Sequence, residues 1–162
     1  MAAIVMDGKA LAAKVKERVR RQVEQLDIKP GLAVVLVGDD PASRVYVNGK
    51  KKDCGECGIY SEEYALPGET TQKELLELVA ALNDREDIDG ILVQLPLPSH
   101  LNEKEVLLAV RPDKDVACFH PFNVGQMSIG APTFLPCTPA GVMEMLRAYE
   151  IPVAGKRCVV LG

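Results

Sequence analysis

The stretch GLAVVLVGDDP, residues 31–41, determines how the rest of the chain is interpreted. Its central run, 32–38, is continuously apolar and rich in valine, which is typical of a strand covered on both faces in a parallel sheet. Asp40 followed by Pro41 is typical of a helix start, with an aspartate N-cap and proline at the first helical position. A buried strand leading directly into a helix favours an α/β fold.

The same alternation of elements extends in both directions. Upstream, apolar residues at steps of four within 8–26 predict an amphipathic helix. The helix starting at Pro41 is expected to run about four turns to Gly58. Downstream, the pattern predicts a strand at 59–66, a helix at 72–83 begun by a Thr71–Glu74 capping box, a strand at 90–97, a helix at 102–110, a loop at 111–127, and a helix opened by Thr138 and Pro139.

This order predicts αβα layers around a mostly parallel sheet. We expect residues 1–137 to form one domain, with 138–162 contributing a linker helix and the first strand of a truncated Rossmann domain. The Rossmann strand is expected because CVVLG, which ends at Gly162, resembles the strand that precedes the glycine turn of a dinucleotide-binding unit. On this interpretation the sequence is the first part of a longer protein.

Composition argues against several classes of protein. The 162 residues are 48% hydrophobic and 26% charged, as in ordinary soluble domains. The net charge of −4 argues against a nucleic-acid or anionic-membrane surface. Apolar runs are shorter than the ~18 residues of a membrane span, and the N-terminal run is too short for a signal peptide. Five cysteines, an odd number, disfavour a full disulfide framework and favour a reducing cytoplasm.

The predicted helix after Pro41 contains YVNGKKKDCGECG, residues 46–58, which suggests three kinds of site. The first is the C-x-x-C of Cys54 and Cys57. A tetrahedral zinc site needs four ligands, and a redox pair belongs at a helix start, where the dipole lowers a thiol pKa. We therefore expect these two cysteines to be packed or partly buried free thiols.

The lysine run is the second candidate and the Tyr46–Lys50 pair is the third. Most lysine runs form a solvated face. Lys50 differs because it lies four residues after Tyr46, so the two side chains share a helix face. Two neighbouring ammonium groups are also expected to lower its pKa. On spacing alone this remains a weak signal.

Polar residues also occur near the end of the predicted strand at 90–97 and within the predicted loop at 111–127. Gln94 interrupts an apolar strand at its carboxyl end, where ligands bind in open α/β sheets, so it is either a ligand contact or a satisfied edge residue. Asp113 and Asp115 lie in the loop, and the simplest interpretation is that both are solvated acids.

Four segments taken together resemble the bifunctional methylenetetrahydrofolate dehydrogenase/cyclohydrolases in order and spacing: YVNGKKKDCGECGI, GILVQLPLP, PDKDVACFHPFNVGQ and PCTPAGVMEML. The resemblance covers essentially the whole chain. It implies a folate-binding catalytic domain at 1–137 and an NADP-binding domain of which 138–162 is only the opening. It also implies oxidation of 5,10-methylenetetrahydrofolate by NADP and hydrolysis of the methenyl product to 10-formyltetrahydrofolate, in the one-carbon metabolism that supplies purine biosynthesis.

The resemblance assigns roles to individual residues. Lys50 matches the catalytic lysine, Tyr46 the tyrosine that lies against the folate rings, and Gln94 the glutamine that positions the lysine. Leu95 and Pro96 are the adjoining substrate-binding residues. The residues that bind NADP are expected mostly beyond Gly162. The family is generally homodimeric, largely through its second domain, and the resemblance implies no nucleic-acid, membrane or metal partner.

One position departs from the family pattern. Members carry KDVDG or KDVDC, whose second acid binds the polar edge of the pterin, whereas this loop is KDVAC and that position is Ala117. Asp115 matches the first acid, and Cys118 fits the cysteine-bearing version. We expect Ala117 to weaken folate binding.

Two other functions stay open on the sequence. A non-catalytic folate-binding fragment or pseudoenzyme module is favoured by Ala117 and by the expected truncation. A cysteine-based metal or redox protein would require bound zinc or a reactive thiol pair.

Overall fold

The computed structural model describes residues 4–161. Helix and strand alternate over residues 8–109, and two further helices follow within the described part of the chain. In chain order the elements are α1 (Gly8–Val23), β1 (Gly31–Val37), α2 (Pro41–Cys57), β2 (Tyr60–Leu66), α3 (Gln72–Asp84), β3 (Gly90–Val93), α4 (Glu103–Ala109), α5 (Pro121–Ser128) and α6 (Cys137–Ala148). Within 4–161, none of the helices combines the length and apolarity needed to cross a membrane.

The three strands form a parallel sheet in the order β2-β1-β3. β1 is central, and it pairs Gly31 with Tyr60 on one side and Leu32 with Gly90 on the other. The run that predicted a strand covered on both faces is therefore the middle of the sheet. A single bridge between Ile91 and Asp115 attaches the loop that follows α4 to the outer edge of β3.

Helices cover both faces of the sheet, which confirms the predicted α/β layers. Because successive strand residues point to opposite faces, Ala33, Val35 and Val37 share a core with α3 and α4, and Val34 and Leu36 pack with Val47 of α2. The residues of β1 from 33 to 37 are at most 3% exposed. This burial fixes α2 against the sheet and thereby fixes the side chains that α2 carries.

The ends of α2 are determined locally, as the sequence predicts. The Asp40 carboxylate accepts a hydrogen bond from the backbone N–H of Ser43 at 2.7 Å, and Pro41 occupies the first turn. Gly58 ends the helix with φ 79°, a left-handed conformation that glycine adopts without strain. The Thr71–Glu74 capping box also forms at the start of α3.

Two boundary predictions are wrong. Residues 121–127, predicted as loop, belong to α5. This helix is too short to show an amphipathic stripe in the sequence. Its start is fixed by a cap, in which the His120 ring accepts from the N–H of Phe122 at 3.1 Å. Thr138 does not cap α6, because that helix already begins at Cys137 after Pro136 and has no side-chain cap bond.

Two predicted elements also differ in extent. α1 ends at Val23 rather than at 26, and β3 ends at Val93, before the prolines that follow Gln94. Gln94 therefore lies just beyond the end of β3. The direction of its side chain is not set by the alternation of strand side chains between the two faces of the sheet.

The predicted strand at 158–162 is not found in the part that the structure describes. Residues 158–161 are exposed and form no strand, and Gly162, the last residue of that prediction, lies outside the described residues. A strand requires a hydrogen-bonding neighbour, and none lies beside these residues within 4–161. The division at residue 137 and the placement of the NADP-binding residues beyond Gly162 stay predictions.

Gly31 is required by a close backbone approach, which gives a stability prediction. A Cβ there would lie 1.9 Å from the carbonyl oxygen of Asp87. We expect Gly31→Ala to lower the free energy of unfolding by about 1–3 kcal/mol, because the backbone must shift to relieve the overlap. Urea denaturation measures the change.

Gly49 supplies the matched control for this substitution. It lies within α2, and a Cβ added there would meet no described atom within 4 Å beyond its own helix backbone and chain neighbours. Gly49→Ala should therefore stabilise the chain by roughly 0.5–1 kcal/mol. Equal effects of the two substitutions would contradict the role assigned to Gly31.

Candidate functional site

A cleft of about 460 Å³ lies at the carboxyl end of the sheet, between α2, the residues after β3, the 115–120 loop and the start of α6. This is the edge where parallel α/β sheets bind ligands. The cleft brings together most of the residues predicted to form the site. Its lining comprises Tyr46, Lys50, Leu92, Val93, Gln94, Leu95, Ala117, Phe119, Pro136, Cys137, Thr138 and Pro139.

A larger groove of about 580 Å³ between α1 and α6 is a weaker candidate. Its charged side chains already pair with one another: Lys16 contacts Asp53 at 2.8 Å, and Arg18 contacts Glu144 at 2.9 Å. The groove therefore has few free groups for chemistry, whereas the cleft contains a lysine with no carboxylate partner within 4 Å in the described part of the chain.

Lys50 is held by Gln94. Its Nζ donates to the Gln94 Oε1 at 3.1 Å, while the Gln94 Nε2 donates to the carbonyl oxygen of Leu95 at 2.7 Å. The second bond fixes the amide with its oxygen toward the lysine. The backbone N–H of Gln94 also bonds to Val35 in β1 at 2.8 Å. Gln94 thus connects Lys50 to the central strand without adding a charge.

Burial lowers the pKa of Lys50, and the nearby Cys137 thiol acts weakly in the opposite direction. The predicted direction is confirmed, but the predicted cause is wrong. Lys51 extends toward Glu63, with Nζ and Oε2 at 3.6 Å, and Lys52 toward Glu56, at 3.8 Å. Desolvation penalises the ammonium form of Lys50 and leaves more free amine near neutral pH.

Tyr46 lies one helical turn before Lys50 and is 62% exposed. The Lys50 Nζ is 5.5 Å from the centre of its ring, within the range of a cation–π contact. The predicted sharing of a helix face is confirmed. An exposed aromatic face beside a neutralisable amine can stack on a flat ligand and place the ligand's reacting atom near nitrogen.

The 115–120 loop contributes Ala117 and Phe119 to the cleft. The Ala117 methyl group offers no hydrogen bond there. Asp113 is exposed and pairs with Arg111 at 2.6 Å, as expected of a solvated acid. Asp115 is only 4% exposed, so the interpretation of it as a solvated acid is wrong.

Seven residues that line the cleft were not predicted from the sequence, and Phe119, Cys137 and Thr138 are among them. Phe119 lies two residues after Ala117, and this proximity was the available signal. Cys137 and Thr138 belong to the PCTP segment, whose approach to α2 depends on tertiary packing. Conversely, Pro96 is exposed and does not line the cleft, although Leu95 does.

The C-x-x-C cysteines lie outside the cleft. Cys54 and Cys57 are buried near the carboxyl end of α2, and burial raises the pKa of both thiols, which disfavours the reactive thiolate. No group of three or more His, Cys, Asp or Glu side chains suited to a metal ion occurs within 4–161. These observations support packing as the role of the pair.

Replacing Gln94 tests the electrostatic setting of Lys50. Gln94→Glu places a carboxylate against the Nζ, which favours the ammonium form and is expected to raise the Lys50 pKa. An NMR titration of the Lys50 side chain measures the shift. Gln94→Met removes the hydrogen bond without adding charge and is the control; a Glu variant that titrates like the Met variant would contradict the prediction.

The similarity of this chain to known proteins extends over the residues that form the cleft. A family model for the tetrahydrofolate dehydrogenase/cyclohydrolase catalytic domain matches residues 6–117. The chain is 57% identical over 165 residues to the bifunctional protein FolD of Ruminiclostridium cellulolyticum, covering 100% of this chain and 58% of that protein. The FolD of Acetivibrio thermocellus gives the same identity and coverage.

Solved structures show the same similarity. The bifunctional FolD methylenetetrahydrofolate dehydrogenase/cyclohydrolase of Campylobacter jejuni superposes with a TM-score of 0.90 at 50% identity, covering 93% of this chain and 55% of that one. The Trypanosoma brucei methylenetetrahydrofolate dehydrogenase-cyclohydrolase, complexed with NADP and an inhibitor, gives 0.93 at 36% identity, covering 96% and 55%. The chain thus spans a little over half the length of these relatives.

Proposed function

The chain belongs to the tetrahydrofolate dehydrogenase/cyclohydrolase family, and we propose that it forms the folate-binding catalytic half of such an enzyme. The proposed reactions are oxidation of 5,10-methylenetetrahydrofolate by NADP and hydrolysis of 5,10-methenyltetrahydrofolate to 10-formyltetrahydrofolate. The observation that carries the proposal is the partly buried Lys50, held by Gln94 beside the exposed ring of Tyr46. The largely planar ring system of a folate can stack on the exposed ring of Tyr46.

Binding of NADP is not explained by the residues of this chain. The 162 residues contain no G-x-G sequence, the element that lets a backbone approach a dinucleotide pyrophosphate. NADP is therefore proposed from the family, whose Trypanosoma brucei structure includes it. For the oxidation, the contribution of the cleft is to hold the folate in a fixed orientation.

For the hydrolysis, Lys50 can act first as a base and then as an acid. Water adds its oxygen to the methenyl carbon while the free amine of Lys50 accepts one proton, which gives a neutral carbinol. The bond from that carbon to N5 then breaks, N5 takes a proton from the Lys50 ammonium, and the carbinol hydroxyl releases its proton to solvent as the formyl C=O forms. A lysine of lowered pKa populates both forms near neutral pH.

A folate-binding module without turnover is the second candidate, and Ala117 favours it. In that case the chain binds a reduced folate but leaves 5,10-methenyltetrahydrofolate unchanged. Decay of the methenyl absorption band in the presence of the chain, compared with buffer alone, distinguishes the two. Saturable binding with decay at the buffer rate would contradict catalysis and support the module.

We further propose that the enzyme works in cytoplasmic one-carbon metabolism and supplies purine biosynthesis, as a homodimer formed largely outside this part of the protein. The support is compositional and familial. All five cysteines are free thiols, as expected in a reducing compartment.

A further inference from the structure

We infer that Asp115 and Asn123 are positioning residues that clamp the 115–120 loop and thereby set how tightly the cleft binds its ligand. The inference rests on the proposed folate-binding function of the cleft. Neither residue lines the cleft; both act through Ala117 and Phe119, which do.

The Asp115 carboxylate accepts three hydrogen bonds in a buried position. Its Oδ1 accepts from the backbone N–H of Phe119 at 3.2 Å, and its Oδ2 accepts from the N–H of His120 at 2.8 Å. Oδ2 also accepts from the Asn123 Nδ2 at 3.0 Å. One side chain therefore folds the residues that follow it back on themselves and joins them to α5.

The closed loop is also anchored to the sheet. The backbone N–H of Ile91 in β3 donates to the carbonyl oxygen of Lys114 at 2.8 Å, directly before Asp115. The Asn123 Nδ2 makes a second bond, to the carbonyl oxygen of Pro112 at 2.8 Å. The clamp consequently fixes the loop relative to β3, the strand that leads into Gln94.

Two unfavourable features persist at the clamp, one in the loop backbone and one in the side chain of Asn123. Cys118, between the two cleft residues, has φ 58°, a left-handed conformation that residues other than glycine seldom adopt. Such a conformation persists where surrounding contacts impose it. The Asn123 Oδ1 is buried without a hydrogen-bond partner within 4–161, so the two bonds from Nδ2 determine how the amide is oriented.

Release of the clamp should change ligand binding without disturbing the lysine. Lys50 and Gln94 are held by α2 and by the end of β3, and their hydrogen bond shares no atom with the clamp. Movement of 117–119 would instead remove the wall that these residues give the cleft. Affinity should fall while the Lys50–Gln94 pair persists.

The test compares three variants of the chain. Asp115→Asn removes the charge and one acceptor oxygen, and Asn123→Leu removes the second arm of the clamp. Asp89→Asn is the control, because the Asp89 carboxylate also accepts from a backbone N–H, that of Gly31 at 2.8 Å, but at the amino end of the sheet. Calorimetry with 5-formyltetrahydrofolate, a stable reduced folate, measures affinity; hydrogen exchange measures the amides of Phe119 and His120.

We expect both clamp variants to bind roughly tenfold more weakly, because the released loop would occupy its binding-competent arrangement for only about a tenth of the time. Exchange at the two amides should accelerate, and the Gln94 side-chain NMR signal should stay in place. The Asp89 variant should keep its affinity within about twofold even where it loses as much thermal stability.

Two results would overturn the inference, and they differ in what else they overturn. Faster exchange at Phe119 and His120 with unchanged affinity would refute the positioning role alone. Absence of saturable binding to the unsubstituted chain would refute the folate-binding function as well. If Asp115→Asn does not fold, Asn123→Leu decides by the same two measurements.

Discussion

Hydrolysis of 5,10-methenyltetrahydrofolate is expected to fall at least ~100-fold when Lys50 is replaced by methionine, the loss typical of removing a general acid–base group. Methionine keeps much of the length and apolar stem of lysine but cannot accept a proton. The cleft and its aromatic wall stay in place, so binding of the folate should change little. The decay of the methenyl absorption band measures the rate, and calorimetry measures the affinity.

The neighbouring lysine provides the matched control. Lys51 carries the same charge one residue later but extends toward Glu63, away from the cleft. Lys51→Met should therefore leave hydrolysis within about twofold, because surface ion pairs contribute little. Comparable losses in the two variants would indicate a general charge effect and contradict the assignment of Lys50.

The pH profile gives an independent test of the same role. Burial lowers the pKa of Lys50, so the free amine, which accepts the proton from water, is populated at lower pH than for an exposed lysine. The rate should rise as the pH increases through that lowered pKa, until protonation of N5 by the ammonium form limits the reaction. Lys50→Met should abolish this rise; an unchanged profile in the variant would exclude Lys50 as its source.

The parts of the fold that follow from short-range chemistry were predictable from sequence. Asp40, Pro41 and Gly58 determine α2 through a cap, a permitted first-turn proline and a left-handed stop, each set within a few residues. The valine-rich run at 32–38 predicted a strand covered on both faces, because this pattern can be recognised without knowing which strands lie beside it. Tyr46 and Lys50 share a face simply because they are four residues apart on a helix.

Features that depend on distant contacts were not predictable. The low pKa of Lys50 comes from burial where α2 meets the end of β3, not from the adjacent lysines. Asp115 looks like a solvated loop acid in sequence, and its burial follows from the bridge to Ile91 and the bond to Asn123. Cys137 reaches the cleft only through the packing of α6, which no local pattern indicates.

Ala117→Asp should bind a reduced folate about 5- to 150-fold more tightly than the unsubstituted chain, which corresponds to roughly 1–3 kcal/mol for pairing a buried ligand donor. The reason is that the pterin presents N–H groups along one edge, and the Ala117 methyl group leaves them without a partner at that position. Calorimetry with 5-formyltetrahydrofolate measures the difference. Equal affinities would mean that the pterin edge is satisfied elsewhere and that Ala117 does not limit binding.

Ala117→Asn separates hydrogen bonding from charge. The amide has nearly the same shape as the carboxylate but only one acceptor oxygen and no charge, so we expect a smaller gain. The carboxylate carries a cost that the amide does not, because it enters the same cleft as Lys50 and favours the ammonium form of that residue. Ala117→Asp should therefore combine tighter binding with a hydrolysis profile displaced to higher pH, whereas Ala117→Asn should leave the profile in place. A gain in affinity of the same size in both variants would show that geometry, and not charge, is what this position lacks.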